Sequence, residues 1–225
     1  MTARQREFVF RTWGGARPRA GRKRAHGGRP SVPHRARPAH RAAHPVHVTL
    51  RARAGLPPLR DRGLLERVHQ AIRGANRSPA VRGAFRVVEF SVQNDHIHLI
   101  AEAHDAGVLA RGVQGLAIRL ARRINGALGV RGKVWGDRFH ARELATPRAV
   151  RNAIVYVLMN AKKHHMRTHR GVDAFSSAPW FDGFARAIAP SGDASPVRAP
   201  RTWLAGVGWR RRGLVRLDER PRAPG

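Results

Sequence analysis

Two consecutive segments in which apolar and polar residues alternate constrain the fold of this chain most strongly. Residues 85–92 and residues 96–102 both follow the two-residue period of a β-strand. Three apolar side chains of the first segment are expected on one face of its strand: Val88, Phe90 and Val92. Asn94 and Asp95 lie between the segments and are typical of a tight turn. The segment 85–102 therefore predicts a β-hairpin whose apolar face must be covered by other elements.

Further strands and helices are predicted on both sides of this hairpin. The additional elements are a strand over residues 47–53, a helix from the cap Asp61 to about Asn76, a helix over 108–128, a strand or extended hairpin over 132–144, and a helix from Thr146-Pro147 to about His165. The order is then β-α-β-β-α-β-α. This order predicts an α+β protein with a ferredoxin-like antiparallel sheet and packed helices.

The net charge predicts a polyanionic partner. The chain has 44 Lys and Arg residues against 14 Asp and Glu residues, which gives a formal net charge of +30. A GC-rich coding sequence can favour Arg over Lys, but it does not explain why acidic residues are so scarce. Nucleic acid is therefore the simplest partner.

Cysteine content and hydropathy exclude several classes of protein. The chain contains no cysteine, which excludes disulfides, thiolate zinc sites and cysteine nucleophiles. It has no run of 18 or more apolar residues, so no membrane span is predicted. Its N-terminus lacks the apolar stretch of a secretory signal. We therefore expect a cytoplasmic protein, associated with the nucleoid when it is bound to DNA.

Composition divides the chain into three parts. Residues 1–45 hold 12 Lys or Arg residues and one acidic residue, and we expect them to form a disordered basic arm. Residues 46–170 contain all the predicted strands and helices. Residues 171–225 carry several aromatic side chains, and we expect this C-terminal extension to pack on the domain.

His96 and His98 are candidate metal ligands. Side chains at positions i and i+2 of a strand point to the same side, so the two imidazoles share a face, with Cβ atoms roughly 6–7 Å apart. Two imidazoles at that distance can bind one divalent metal. The chain has 13 histidines, however, and an isolated pair of this kind is more often structural or on the surface.

Tyr156 is the only tyrosine of the chain, and it lies on the predicted third helix. The apolar stripe of that helix consists of Val150, Ile154, Val157, Leu158 and Ala161. Tyr156 lies off this stripe, and Asn160 follows it one turn later on the same polar face. An amide oxygen is a suitable ligand for Mg²⁺ or Mn²⁺, so the phenol could attack a phosphorus atom beside such a metal. A lone tyrosine is otherwise typical of surface packing.

Five segments together carry a resemblance to a known family. They are HVTLR at 47–51, VVEFSV at 87–92, NDHIHLI at 94–100, VWGDRFH at 134–140 and VYVLMN at 155–160. With these segments in this order, the chain resembles the single-tyrosine HUH transposases, and within them the REP-associated tyrosine transposases. The resemblance covers residues 46–170, which would form the catalytic domain.

The resemblance implies a metal-dependent tyrosine DNA transposase, or single-strand DNA endonuclease. His96 and His98 would bind Mg²⁺ or Mn²⁺, Asn160 would match the third, polar ligand, and Tyr156 would be the nucleophile. Cleavage would leave a 5′-phosphotyrosine link and a free 3′-hydroxyl, and the hydroxyl of another end would reverse the attack to join strands. The partner would be single-stranded or hairpin DNA, and the protein would be a monomer or a homodimer.

The sequence also offers candidate phosphate contacts, and it departs from the family at one position. The candidate phosphate contacts are Arg51, Arg53, Lys133, Arg138, Lys162 and Lys163. Many relatives have proline at the position of Ala161, and its absence here predicts that the third helix continues toward His164 and His165.

Two other functions stay open at this point. The chain could be a domesticated relative that binds hairpin DNA without cutting it. It could also be an RNA-binding module, although that function requires exposed aromatic side chains on the central strands. Phe90 is expected on the apolar face instead, which argues against the RNA-binding alternative.

Overall fold

A computed structural model describes residues 39–81, 83–163, 172–189 and 191–221. Most of the predicted basic arm, residues 1–38, lies outside these ranges. The predicted helix end at His164 and His165 also lies outside them. The first strand spans Val46–Arg51, so it begins one residue earlier and ends two residues earlier than predicted.

Four antiparallel strands form one sheet in the spatial order β2-β3-β1-β4. The strands are β1 Val46–Arg51, β2 Phe85–Val92, β3 His96–Ala103 and β4 His140–Glu143. The helices are α1 Arg62–Asn76, α2 Ala106–Leu128, α3 Pro147–Leu158, α4 Asn160–Lys163 and α5 Trp203–Gly206, with 3₁₀ turns at Pro79–Val81, Ala178–Trp180 and Gly208–Arg212. The predicted α+β class with a ferredoxin-like antiparallel sheet is confirmed.

One face of the sheet packs against α1 and α2. The buried strand residues of this layer are Val46, Val48, Leu50, Phe85, Val87, Phe90, Val92, Ile97, Leu99 and Ala101. Aspartate caps fix where both helices begin, because the side chain of Asp61 accepts a hydrogen bond from the Leu64 N–H, and Asp105 accepts one from the Val108 N–H. The helices therefore begin where the sequence carries its strongest local start signals.

A β-bulge in β2 corrects one detail of the predicted hairpin. The register between β2 and β3 shifts between Val87 and Glu89. Val87 shares the buried layer with Phe90, whereas Val88 lines a cavity with Glu89 and Ile100. The predicted grouping of Val88 with Phe90 was wrong because a bulge inserts one extra residue into the strand and breaks the strict alternation.

The opposite face of the sheet packs against α3 and the chain after residue 172. Buried apolar members of this layer include Ile100, Val150, Ile154, Val157, Phe181 and Trp209. The Arg60 guanidinium donates to both carboxylate oxygens of Asp173, at 2.8 and 2.9 Å, and the Ser177 N–H donates to the Phe90 carbonyl at 2.9 Å. These contacts attach the segment beginning at Val172 to the sheet. The division into arm, catalytic domain and extension stays a prediction.

The third helix is interrupted at Met159, so the prediction of a continuous helix was wrong. Helix α3 ends at Leu158, Met159 departs from helical geometry with φ −103° and ψ 11°, and α4 begins at Asn160. Every residue from Val157 to Ala161 is buried. A straight helix turns by ~100° per residue, so five consecutive residues cannot all face one layer. The interruption at Met159 lets this stretch be buried without a proline.

The segment 132–144 is only partly a strand. Residues His140–Glu143 pair with β1 as β4, whereas Trp135 forms an isolated bridge with Ala52. The Arg53 N–H donates to the Val134 carbonyl at 2.8 Å, so the chain before β4 still follows the end of β1. In the described part of the chain, every helix is too short or too polar to cross a lipid bilayer.

Candidate active site

His96 and His98 lie at the start of β3, on the sheet face that α3 covers. Ile97 and Leu99 point into the opposite layer, as the two-residue period predicts. The two imidazoles converge, with 2.9 Å between His96 Nε2 and His98 Nε2 and 4.5 Å between the ring centroids. His98 is buried and His96 is partly exposed, so the pair is accessible from one side.

Asp95 fixes the orientation of the His96 ring. Its Oδ1 lies 2.6 Å from His96 Nδ1, and a carboxylate can only accept, so Nδ1–H is the donor. Partial burial opposes ionisation of Asp95, but the hydrogen bond and charge of His96, with Arg51 beyond it, outweigh burial and lower the pKa of the carboxyl group. With its Nδ1 donating to Asp95, His96 directs its Nε2 toward His98.

The structure adds His47 and Thr49 of β1 to the predicted residues. His47 Nε2 and Thr49 Oγ1 each lie 3.2 Å from His98 Nδ1, on the side of the ring away from His96. Burial, followed by the nearby His140, Arg142 and His96, lowers the pKa of His47 to about 4. The His47 ring is therefore neutral at physiological pH.

Tyr156 lies over the histidines from α3. Its ring centroid is 5.0 Å from that of His98 and 5.7 Å from that of His47, both in edge-to-face geometry. Burial raises the pKa of the Tyr156 phenol, and the neighbouring Asn160 amide only partly offsets this effect. The phenol is therefore protonated at neutral pH.

Asn160 is fully buried, rather than on the exposed polar face that the helical pattern predicts. Its amide is close enough to influence the pKa of Tyr156, yet neither its nitrogen nor its oxygen makes a hydrogen bond of standard geometry within the described residues. A buried amide without a bonding partner is costly unless a ligand satisfies it.

The residues present suit a divalent metal. Two ligand atoms at ~2.1 Å from a metal and at right angles to one another lie about 3 Å apart. The measured separation of 2.9 Å between the two Nε2 atoms matches that geometry. Within the described ranges, no three His, Cys, Asp or Glu side chains are grouped to hold a metal. A third protein ligand would therefore come from another residue type, such as the Asn160 amide.

The predicted phosphate contacts fall into separate groups. Arg51 is exposed, pairs with His96 across β1 and β3, and lies 3.8 Å from Asp95, so it borders the histidine pair. Arg53 donates to the Lys133 carbonyl at 2.7 Å, and Lys133 Nζ lies 3.2 Å from the Gly136 carbonyl. These two side chains thus support the loop before β4.

Arg138 is exposed in the same connection before β4. The side chains of Lys162 and Lys163 lie outside the described part of the chain. Of the four candidates whose side chains are described, Arg51 is the one with a contact to a residue that orients the histidine pair.

His47 and Thr49 carried a signal that the sequence interpretation missed. In β1, apolar Val46 and Val48 alternate with polar His47 and Thr49. The β1–β3 register places Thr49 opposite His98, which puts this polar set on the histidine face. Alternation alone shows that the polar set shares one face, but the contact with His98 depends on a register between strands about 50 residues apart.

Comparison with known proteins agrees with the fold. Residues 45–154 match the family described as transposase, IS200-like. Among solved structures, the chain is similar to a REP-associated tyrosine transposase bound to a REP hairpin, with a TM-score of 0.51 and 17% identity over 65% of this chain and 82% of that chain. No curated protein gives a match. The resemblance inferred from the sequence is confirmed for residues 45–154, which match this transposase family.

Proposed function

We propose that the protein cleaves and rejoins single-stranded DNA, with Tyr156 as the nucleophile. The observation that carries this proposal is the position of the chain's sole tyrosine, whose ring lies 5.0 Å from that of His98 in the HUH pair of the same chain. A nucleophile must lie beside the groups that position and polarise the phosphate. One chain therefore supplies both parts, which favours a monomeric active unit over a homodimer with exchanged helices.

His96, His98 and Asn160 are the residues that would hold a divalent cation, Mg²⁺ or Mn²⁺. Bound there, the cation would polarise the scissile phosphate and reduce its negative charge. Asp95 supports this set by fixing the tautomer of His96. The buried Asn160 amide lacks a standard hydrogen-bond partner within the described residues, and its oxygen would coordinate the cation.

The proposed reaction exchanges a phosphodiester of the DNA for a phosphodiester between DNA and Tyr156. The Tyr156 oxygen forms a bond to phosphorus, and the bond from phosphorus to the 3′ oxygen of the preceding nucleotide breaks. The phenol loses its proton and the departing 3′ oxygen gains one, so no proton is consumed overall. Because the 5′-phosphotyrosine remains an ester, the 3′-hydroxyl of another strand can reverse the attack without an external energy source.

Hairpin or single-stranded DNA is the proposed partner. The net charge of +30 favours a polyanion, and the structurally similar transposase is bound to a REP hairpin. Arg51 borders the histidine pair and is proposed to contact a phosphate there. Arg53, Lys133, Arg138, Lys162 and Lys163 remain candidates for the flanking backbone. A cytoplasmic, nucleoid-associated location follows from a DNA substrate.

A covalent-trapping experiment with two labels tests this function. The protein is incubated with a hairpin oligonucleotide and Mn²⁺, and the products are separated on a denaturing gel. A 3′-labelled oligonucleotide should migrate with the protein, whereas a 5′-labelled one should be released as a shorter fragment. Y156F should abolish the adduct while it retains DNA binding, because only the phenolic hydroxyl is removed.

The same gel separates cleavage from the non-cleaving alternative. Tight hairpin binding with no adduct in either Mg²⁺ or Mn²⁺ would favour a domesticated DNA-binding protein. An adduct that persists in Y156F would refute the assignment of the nucleophile. H98A tests the metal ligands separately, and it should lose the adduct without losing hairpin affinity.

A further inference from the structure

We propose that His47 is a positioning residue, which holds His98 in the tautomer and orientation that let His98 Nε2 bind a metal. This inference rests on the metal site of the proposed function. It assigns a role to a residue of β1 to which the family resemblance gave no function.

The contact is buried and specific to one nitrogen of each ring. His47 and His98 are 9% and 4% exposed, and His47 Nε2 lies 3.2 Å from His98 Nδ1. The ring centroids are 5.1 Å apart with an interplanar angle of 36°, so the pair is tilted rather than stacked. Thr49 Oγ1 reaches the same Nδ1 at 3.2 Å. Two side chains of β1 therefore meet the nitrogen of His98 that faces away from His96.

The tautomer of His98 decides whether it can be a ligand. A neutral imidazole has one N–H and one lone pair. His98 Nε2 can bind a metal only if its proton is on Nδ1, and a proton on Nδ1 requires an acceptor. His47 Nε2 and Thr49 Oγ1 lie within hydrogen-bond distance of that position, and either atom can accept the proton. Because His47 is buried with its Nε2 against this nitrogen, a lone pair on His47 Nε2 stabilises the tautomer of His98 that binds metal.

His47 is placed to act through His98 rather than as a third ligand. The point between the two Nε2 atoms of His96 and His98 is where a metal would lie, and His47 contacts the opposite edge of the His98 ring. No group of three potential ligands that includes His47 occurs among the described residues. Asp95 meets Nδ1 of His96 in the same way. Nδ1 of each proposed ligand histidine thus has a partner within hydrogen-bond distance, an arrangement typical of metal-binding histidines.

Two substitutions of similar size separate this role from packing. In H47Q the amide can return an acceptor to the position of the His47 Nε2, whereas in H47M an unbranched apolar side chain fills the space without a comparable acceptor. Both are made in full-length protein that carries Y156F, so that metal binding is measured without DNA or cleavage. His69 is also buried and belongs to α1, outside the site, so H69M is the matched control.

Mn²⁺ affinity, measured by electron paramagnetic resonance of free Mn²⁺, is the readout. H47M should bind Mn²⁺ about 10–100-fold more weakly than the parent, the loss typical of a missing partner of a ligand histidine. H47Q and H69M should bind close to the parent. Thermal melts followed by circular dichroism verify that each variant is folded.

Several results would overturn the inference. Parental affinity in folded H47M, or equal losses in H47Q and H47M, would show that the Nε2 acceptor is not what matters. Failure of the parent itself to bind Mn²⁺ would overturn both this inference and the proposed metal site. Failure to form a DNA adduct in wild-type protein that binds Mn²⁺ would instead refute the cleavage proposal and leave the role of His47 standing.

Discussion

Glu89 is a buried carboxyl group of β2 that should make stability fall as pH rises. It lies in the layer between the sheet and the chain after residue 172, where the Ser177 hydroxyl donates to its Oε2 at 2.5 Å. Burial raises the pKa of Glu89 from 4.5 to about 8; the Ser177 hydrogen bond opposes this increase, and nearby Asp182 adds to it. The group is therefore neutral in the folded protein and ionised in the unfolded chain over that range of pH.

The sign and size of the effect follow from proton linkage. Between pH 4.5 and pH 8 the folded state holds a proton that the unfolded state has lost, so the contribution of Glu89 is fully present below pH 4.5 and is lost as pH rises toward 8. Each pH unit in this window costs about 1.4 kcal/mol of the free energy of unfolding. Across the whole window the loss is roughly 5 kcal/mol, as an upper bound.

Urea denaturation of the wild-type protein and of E89Q at pH 5, 6, 7 and 8 measures the contribution of Glu89 to the free energy of unfolding. Glutamine keeps the size of Glu89 and can still accept from Ser177, but it does not ionise. The stability of E89Q relative to wild type should therefore increase by about 3 kcal/mol between pH 5 and pH 7. A difference that stays constant over this range would refute the buried, protonated state of Glu89.

Two further predictions concern packing and a buried ion pair. In α2, a Cβ at Gly112 would lie 2.3 Å from the Phe85 ring, so G112A should lower the free energy of unfolding by about 1–3 kcal/mol. G126A of the same helix meets no atom within 4 Å and should be neutral or stabilising, by up to ~1 kcal/mol. R60M would leave the carboxylate of Asp173, 2% exposed, without its partner and should cost about 3–5 kcal/mol in urea denaturation.

The exposed ion pair of Arg216 and Asp218 is the control for the buried ion pair of Arg60 and Asp173. The side chains of Arg216 and Asp218 are 69% and 68% exposed and lie 2.8 Å apart. R216M should therefore change stability by less than ~0.5 kcal/mol. Equal losses in R60M and R216M would contradict the importance of burial for the ion pair. Equal effects of G112A and G126A would contradict the close approach of α2 to β2.

The parts of the fold that the sequence predicted correctly are those determined by residues close together along the chain. The hairpin follows from side-chain alternation on either side of a polar turn, and α1 begins at the Asp61 cap. The break at Met159 could not be predicted in this way, because it depends on layers that bury five consecutive residues. The bulge at Val88 was likewise not predictable, because the side chains of β2 alternate regularly along the sequence and the register shift appears only in the pairing with β3.

The site was predictable where its residues are neighbours along one element. His96 and His98 converge because they are two residues apart on one strand. Asn160 lies beyond the end of α3, so its place beside Tyr156 follows only in part from the helical period. The contact between His47 and His98 joins residues 51 positions apart and depends on strand register. Burial of Asn160 was also not evident, since it depends on how α3 ends.

The most direct test of the central claim is to identify the amino acid that becomes linked to DNA. Wild-type protein is trapped on hairpin DNA with Mn²⁺, digested with protease and nuclease, and analysed by tandem mass spectrometry. The account predicts a nucleotide attached through its 5′ phosphate to the peptide that contains Tyr156, the only tyrosine in the chain. A nucleotide found on any other residue would contradict Tyr156 as the nucleophile.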